Sequence, residues 1–126
     1  MRDRRFHSLQ GLHHLQLAMP IGQERAATDF YAGILGMTRL EKPEQLADRG
    51  GCWFAFPGGE FHLGVEDPFS PAKKAHPAFV VSGLEALMER LRAHGYRIVH
   101  DTELEAHDRF YTHDPFGNRL EFLEPR

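Results

Sequence analysis

The sequence predicts an α+β fold in which a βαβββ unit is used twice. Three observations support this fold class. Strand-like and helix-like segments follow one another in the same order in both halves of the chain. A glycine follows each predicted helix, Gly36 in the first half and Gly95 in the second, as expected of C-terminal caps. Each unit has one helix for one sheet, so the other sheet face must meet something else: either the two sheets curve around a shared cavity, or they pair with a second chain.

The boundaries of the units follow from this repeat. Residues 1–10 are predicted to be an N-terminal extension and residues 11–66 the first unit. Residues 67–74, inside the stretch "EDPFSPAKKA", are predicted to be a linker, and residues 75–126 the second unit. Together the units have the size of one ordinary domain.

The first unit opens with a strand pattern in "LHHLQLAM", where Leu15 and Leu17 alternate with His14 and Gln16. A helix is predicted next, because apolar residues recur there at helical spacing. This apolar stripe consists of Ala27, Phe30, Tyr31, Ile34 and Leu35. Strand-like stretches at "GMTRLE", "CWFAFP" and "FHLGVE" complete the unit.

The second unit repeats this order, beginning with the strand-like stretch "HPAFVV". Ser82 and Glu85 have the spacing of a capping box at the start of the next helix. The apolar stripe of that helix consists of Leu84, Leu87, Met88 and Leu91. The stretches "YRIVH", "RFYTH" and "RLEFLE" are predicted strands, and "DPFG" is typical of a turn.

Composition excludes several classes of function. The 126 residues are 41% hydrophobic and 26% charged, as in a globular protein. A net charge of −3 without a basic block argues against a nucleic-acid partner, and no apolar run is long enough to span a membrane. The N-terminus lacks the apolar core of a secretion signal. A single cysteine, Cys52, fits a reducing compartment, so we expect a cytoplasmic protein.

Four side chains of metal-binding type share one strand face. In each predicted strand the bulky apolar residues lie under the helix, and this places His14, His62, His76 and Glu121 on the opposite face. If the first and last strands of each unit are neighbours, these side chains can converge. Three imidazoles and a carboxylate suit a divalent Zn, Fe, Mn, Ni or Co ion. Taken singly, each histidine is more simply a surface or hydrogen-bonded core residue, and Glu121 a solvated one.

Two further residues lie near Glu121 in this pattern. Tyr111 is predicted to face the cavity, where its phenol can orient or donate to a bound oxygen, or to be an aromatic half-buried in the sheet. Arg119 is interpreted as a surface charge, with contact to an anionic substrate group as the alternative.

The chain resembles the vicinal oxygen chelate superfamily, which includes glyoxalase I, fosfomycin-resistance enzymes, extradiol dioxygenases and bleomycin-binding proteins. The resemblance extends from about Gly11 to Glu124 and rests on five stretches: "LHHLQLAMP", "DFYAGILGM", "FHLGVE", "AHPAFVV" and "DPFGNRLEFLE". It implies that the two units carry mixed, curved sheets that form a shared cavity. It also implies that His14, His76 and Glu121 are metal ligands. His62 stands where glyoxalase I has a carboxylate or amide ligand, so the histidine departs from that pattern. Tyr111 matches a substrate-contacting tyrosine of the fosfomycin-resistance branch.

This resemblance implies a small metalloenzyme, a lyase, isomerase or transferase, whose ion chelates vicinal oxygens of a small-molecule substrate and stabilises an enolate or oxyanion. Glu121, Tyr111 and His62 are the candidate catalytic residues. One alternative is a non-catalytic protein that binds an antibiotic or other small molecule, as the bleomycin-binding relatives do. A second alternative is a dioxygenase. A homodimer is expected, because many relatives assemble their site from two chains or two units.

Overall fold

The computed structural model describes residues 6–126 and contains the predicted βαβββ unit twice. The first unit comprises β1 (His14–Met19), α1 (Glu24–Thr28), β2 (Thr38–Leu40), β3 (Cys52–Phe56) and β4 (Gly59–Val65). The second comprises β5 (Ala78–Val80), α2 (Leu84–Ala93), β6 (Val99–Asp101), β7 (His107–His113) and β8 (Arg119–Pro125). The α+β class with two such units is therefore confirmed.

Each unit forms one four-stranded mixed sheet. The strand order is β1-β4-β3-β2 in the first sheet and β5-β8-β7-β6 in the second. The first strand of each unit pairs in parallel with the last strand, and the remaining pairs are antiparallel. The first and last strands are thus neighbours in both units, which is the arrangement that the convergence of the candidate ligands requires.

The two units pack together through their helix-bearing faces. Phe61 of β4 and Phe79 of β5 are in ring contact, with centroids 5.9 Å apart. The Arg90 guanidinium of α2 donates hydrogen bonds to the backbone carbonyls of Gly33 and Ile34 at 2.9 and 3.1 Å, at the end of the first helix. Since these faces form the common core, the sheet faces that carry the candidate ligands point away from it.

The first helix differs from the regular α-helix that the apolar stripe predicted. After α1 the chain continues as a wider π-helix over Asp29–Ile34. Two successive bulky residues in this segment, Phe30 and Tyr31, are both fully buried. These two members of the predicted stripe therefore face the core although the helix geometry differs.

A turn in the second unit is fixed to the first unit by polar contacts. Asp114 Oδ1 accepts hydrogen bonds from the backbone N–H groups of Phe116 and Asn118, both at 2.9 Å. Asp114 Oδ2 accepts one from the Tyr31 hydroxyl at 2.7 Å. The Asn118 amide donates to the carbonyl of Ala18 in β1 at 2.9 Å. The predicted turn therefore also joins the two units.

The start of α2 differs from the predicted capping box. Gly83 is the N-cap residue, and no side chain of the helix itself caps it. Instead, the Glu124 carboxylate at the end of β8 accepts hydrogen bonds from the N–H groups of Gly83 and Leu84 at 2.7 and 3.3 Å. The Ser82–Glu85 prediction is wrong because a side chain distant in sequence already binds these donors. No helix within residues 6–126 is long and apolar enough to cross a membrane.

Candidate functional site

The first sheet carries a column of three stacked rings on its outward face. The register pairs Gln16 of β1 with His62 of β4, and Trp53 of β3 with the same histidine. The indole of Trp53 stacks on His62 with centroids 4.2 Å apart and an interplanar angle of 5°. His62 in turn stacks on His14 at 4.2 Å and 15°. His14 is therefore held against a buried imidazole that is itself held by an indole.

Hydrogen bonds within this column determine which ring nitrogens remain free. His62 is only 4% exposed, and its Nε2 lies 2.9 Å from Glu60 Oε1. This hydrogen bond lowers the pKa of the Glu60 carboxyl. Nε2 of His62 is thus the natural donor to the carboxylate, which leaves Nδ1 as its free nitrogen. Nδ1 of His14 lies 2.9 Å from Nδ1 of His13, so Nε2 is the free nitrogen of His14.

The second sheet brings His76 and Glu121 into direct contact. Glu121 is 6% exposed, and its Oε1 lies 2.8 Å from His76 Nε2. The other nitrogen of His76, Nδ1, lies 2.8 Å from the carbonyl of Lys74 and donates to it. His76 precedes β5, which is shorter than the predicted strand. Pro77 follows it and has no N–H to extend the ladder, although its carbonyl accepts from the N–H of Glu121 at 3.0 Å.

Tyr111 lies beside this pair. It is directly opposite Glu121 in the β7–β8 register, and its ring meets His76 edge-on with centroids 5.5 Å apart. Two guanidinium groups lie near the ring of Tyr111, with the Arg119 carbon 4.2 Å and the Arg109 carbon 5.5 Å from the ring centroid. Arg109 also contacts Glu121 Oε2 at 3.5 Å. Arg119, interpreted from the sequence as a surface charge, is half-buried.

A cavity of about 620 Å³ opens between the first strands of the two units. His14 and His76 both line it, together with Phe61 and Phe79. Nevertheless, no group of three or more His, Cys, Asp or Glu side chains is placed to hold a metal ion within residues 6–126. One chain therefore presents two separate sets, His14 with His62 on the first sheet and His76 with Glu121 and Tyr111 on the second.

Three contact residues were not among the candidates from the sequence. Glu60 lies two residues from His62 on one strand, and Arg109 lies two residues from Tyr111 on another. Alternation therefore already placed each of them on the same sheet face as its neighbour, and both could have been proposed from the sequence. Trp53 had no such signal, because its stacking on His62 depends on how β3 pairs with β4.

A family model described as the Glyoxalase/Bleomycin resistance protein/Dioxygenase superfamily matches residues 11–122, which include all of these candidate residues. The chain belongs to this superfamily. A glyoxalase family protein of known structure from Bacillus anthracis is 44% identical, with a TM-score of 0.91 and full coverage of both chains. A comparison with curated proteins found no match.

More distant superfamily structures share the fold. Lactoylglutathione lyase from Agrobacterium tumefaciens is 16% identical, with a TM-score of 0.73, over 93% of this chain and 95% of that one. A mutant of the fosfomycin resistance protein FosX from Listeria monocytogenes is 16% identical, with a TM-score of 0.78, over 94% and 95% of the two chains. That FosX structure is a complex with Mn(II) and 1S,2S-dihydroxypropylphosphonic acid.

Proposed function

We propose that this superfamily member is a metal-dependent enzyme acting on a small oxygen-rich molecule, with His14, His76 and Glu121 as the metal ligands. The contact between His76 Nε2 and Glu121 Oε1 is the observation that carries the proposal. Both groups belong to the donor types that Zn²⁺ and its neighbours in the first transition row prefer.

The second nitrogen of His76 strengthens this proposal. Because Nδ1 donates to the Lys74 carbonyl, a neutral His76 directs the lone pair of Nε2 at the Glu121 carboxylate. Two electron-rich atoms at 2.8 Å repel each other unless a cation lies with them or His76 is protonated. Histidines that bind a metal through one ring nitrogen commonly donate from the other ring nitrogen to a backbone carbonyl, as Nδ1 of His76 does here. The pair therefore fits a divalent ion.

The third ligand comes, in this proposal, from a second copy of the chain. His14 presents its free Nε2 from the other sheet, and one chain does not bring it to His76 and Glu121. Large apolar side chains at the rim of the cavity are exposed, namely Leu12 at 75% and Val80 at 72%. A homodimer that covers these side chains can complete the ligand set.

The chain's own residues supply binding and proton transfer. When bound, the metal ion acts as a Lewis acid for substrate oxygens. Tyr111 lies next to Glu121 and His76 and is proposed to donate a hydrogen bond to a substrate oxygen. His62 is proposed either as a fourth ligand or as a group that moves a proton, in both cases through Nδ1, because Nε2 is bonded to Glu60. The reducing cytoplasm remains the proposed compartment, given the single cysteine.

The first experiment is elemental mass spectrometry of the protein purified without added metal or chelator. We expect near-stoichiometric Zn, Fe, Mn, Ni or Co in the wild type and its loss in Glu121→Ala and in His76→Ala, because each change removes a ligand. His113→Ala, which removes an exposed histidine of β7, is the matched control and should retain the metal.

The His62→Ala variant separates the two proposed roles of this residue. Loss of metal would make His62 a ligand, and retained metal with lost turnover would make it a proton-moving group. A wild-type protein that stays empty after reconstitution with each of the five metals contradicts the metalloenzyme proposal. In that case a non-catalytic protein that binds its ligand in the cavity becomes the better account.

A further inference from the structure

The guanidinium of Arg119 is held in place but its N–H groups are not used. The backbone N–H of Arg119 donates to the Ala72 carbonyl at 2.8 Å, which fixes this end of β8. Its side chain is half-buried and lies over the Tyr111 ring at 4.2 Å, the geometry of a cation–π contact. Within residues 6–126 that side chain forms no hydrogen bond or ion pair. Up to five donors of one cation are therefore available on the face that carries Glu121.

The second arginine at this phenol has a different environment. Arg109 binds Asp101 Oδ2 through Nη2 at 3.1 Å and contacts Glu121 Oε2 through Nη1 at 3.5 Å. Two carboxylates thus neutralise Arg109, and its role is to hold β6, β7 and β8 together. Arg119 has no such carboxylate, and the residue opposite it in the strand register is His113, which is exposed.

We propose that Arg119 binds an anionic group of the substrate, a carboxylate or a phosphoryl group, so that the substrate is a small organic anion. This inference rests on the proposed function, because it places the reacting oxygens at His76 and Glu121. Residues 119 and 121 of β8 point to the same face and have α-carbons roughly 7 Å apart. A molecule of a few bonds in length therefore reaches both places.

The chemistry of the guanidinium favours this assignment. A planar guanidinium can donate two parallel hydrogen bonds to a carboxylate or phosphoryl group, and such charge-assisted bonds are among the stronger polar contacts in proteins. Contact with the Tyr111 ring restricts the side chain before the ligand arrives, so less rotational freedom is lost on binding. In this arrangement the Tyr111 ring positions the guanidinium that binds the anion, and the Tyr111 hydroxyl donates to the neighbouring substrate oxygen.

Anion titration of the full-length protein tests this inference. Inorganic phosphate and acetate serve as probes, and binding is followed by the NMR signals of the arginine side chains. Protein as purified and protein treated with chelator are compared, because an anion can also bind a metal ion directly. We expect Arg119→Gln to weaken the binding of the preferred probe by about tenfold or more in both samples. Arg119→Lys should give an intermediate loss of affinity, because lysine keeps the positive charge but cannot donate two parallel hydrogen bonds.

Arg92→Gln is the matched control, because it removes the same charge from an exposed position on α2. It should bind both probes like the wild type. Circular dichroism and thermal melting establish that each variant is folded before titration. Tighter binding of phosphate than of acetate would identify a phosphoryl group, and the reverse a carboxylate.

Two outcomes overturn the inference. One is unchanged binding of both probes in Arg119→Gln. The other is binding that requires the metal and is lost in His76→Ala but not in Arg119→Gln. Failure of the metalloenzyme proposal can be told apart from both outcomes. In that case elemental analysis finds no metal, but anions still bind chelator-treated protein in a way that depends on Arg119.

Discussion

Tyr31 joins the two units through a buried polar contact. Its side chain is fully buried, and its hydroxyl donates to Asp114 Oδ2 at 2.7 Å. Asp114 in turn organises the turn that begins β8 and carries the strand of Glu121. Removal of this one hydroxyl leaves a buried carboxylate oxygen with one donor fewer, and such loss costs more than an ordinary exposed hydrogen bond.

We therefore expect Tyr31→Phe to lower the free energy of unfolding by about 1–3 kcal/mol in urea titrations at neutral pH. Tyr96→Phe is the control, because Tyr96 also packs on Phe30 but its hydroxyl forms no hydrogen bond within residues 6–126. Tyr96→Phe should change the free energy of unfolding only slightly, because no hydrogen bond of this hydroxyl is lost. Equal losses in the two variants would contradict the role assigned to the Tyr31–Asp114 contact.

The same hydroxyl predicts a pH dependence. Burial first, and then the Asp114 carboxylate, raise the pKa of Tyr31 well above its ordinary value of 10.0. The unfolded chain releases this proton near that ordinary value, whereas the folded chain retains it, so the contribution is complete below about pH 10 and is lost as the pH rises further. Urea titrations of the wild type and Tyr31→Phe at pH 8 and pH 11 should show a smaller difference at the higher pH.

The sequence allowed the face of each candidate side chain to be predicted, but not its partners. Alternation alone placed His62 and Glu121 on the face opposite the helix, where the structure has them. The bond between His62 and Glu60 could have been proposed, because both residues share that face of β4. The stacking of Trp53 on His62 could not, since it depends on the cross-strand register.

The first turn of helix α2 is stabilised by a residue that is distant in sequence. Its first N–H groups are bound by the Glu124 carboxylate, which comes from β8 and thereby connects the helix to the sheet it covers. A negative charge at this position also interacts favourably with the helix dipole. The capping box expected from Ser82 and Glu85 was a local pattern, and a local pattern carries no information about a residue some forty positions away.

Glu124→Ala should lower the free energy of unfolding by about 0.5–2 kcal/mol, the usual cost of losing an N-terminal cap. Glu85→Ala is the matched control, because it removes an exposed carboxylate from the first turn of the same helix. Urea titration of both variants at low and moderate salt measures the difference. A larger loss in Glu85→Ala than in Glu124→Ala would restore the capping box as the stabilising feature.

At the scale of the whole molecule, the repeat of the unit could be predicted from the sequence, whereas the distance between the two sets of candidate ligands could not. The repeat was predicted from alternation and from one helix per sheet, and the structure has it. That the first and last strands are neighbours was only a condition at that stage, and the parallel pairing in both sheets meets it. The distance between the two ligand sets does not follow from the repeat, because that distance depends on side-chain packing between units, such as Phe61 against Phe79. The two sets lie apart in one chain although the four residues share the predicted parity.

A mixed-subunit experiment determines whether a second copy completes the site. His14→Ala and Glu121→Gln should each abolish metal binding alone, since each removes a proposed ligand. If the site is shared between chains, a dimer containing one chain of each type has one intact site and one site lacking both ligands. Random mixing after co-expression then restores metal to about a quarter of the sites. No restoration in a sample shown to contain mixed dimers would place all three ligands in one chain, and the cavity between β1 and β5 would have to close around the ion.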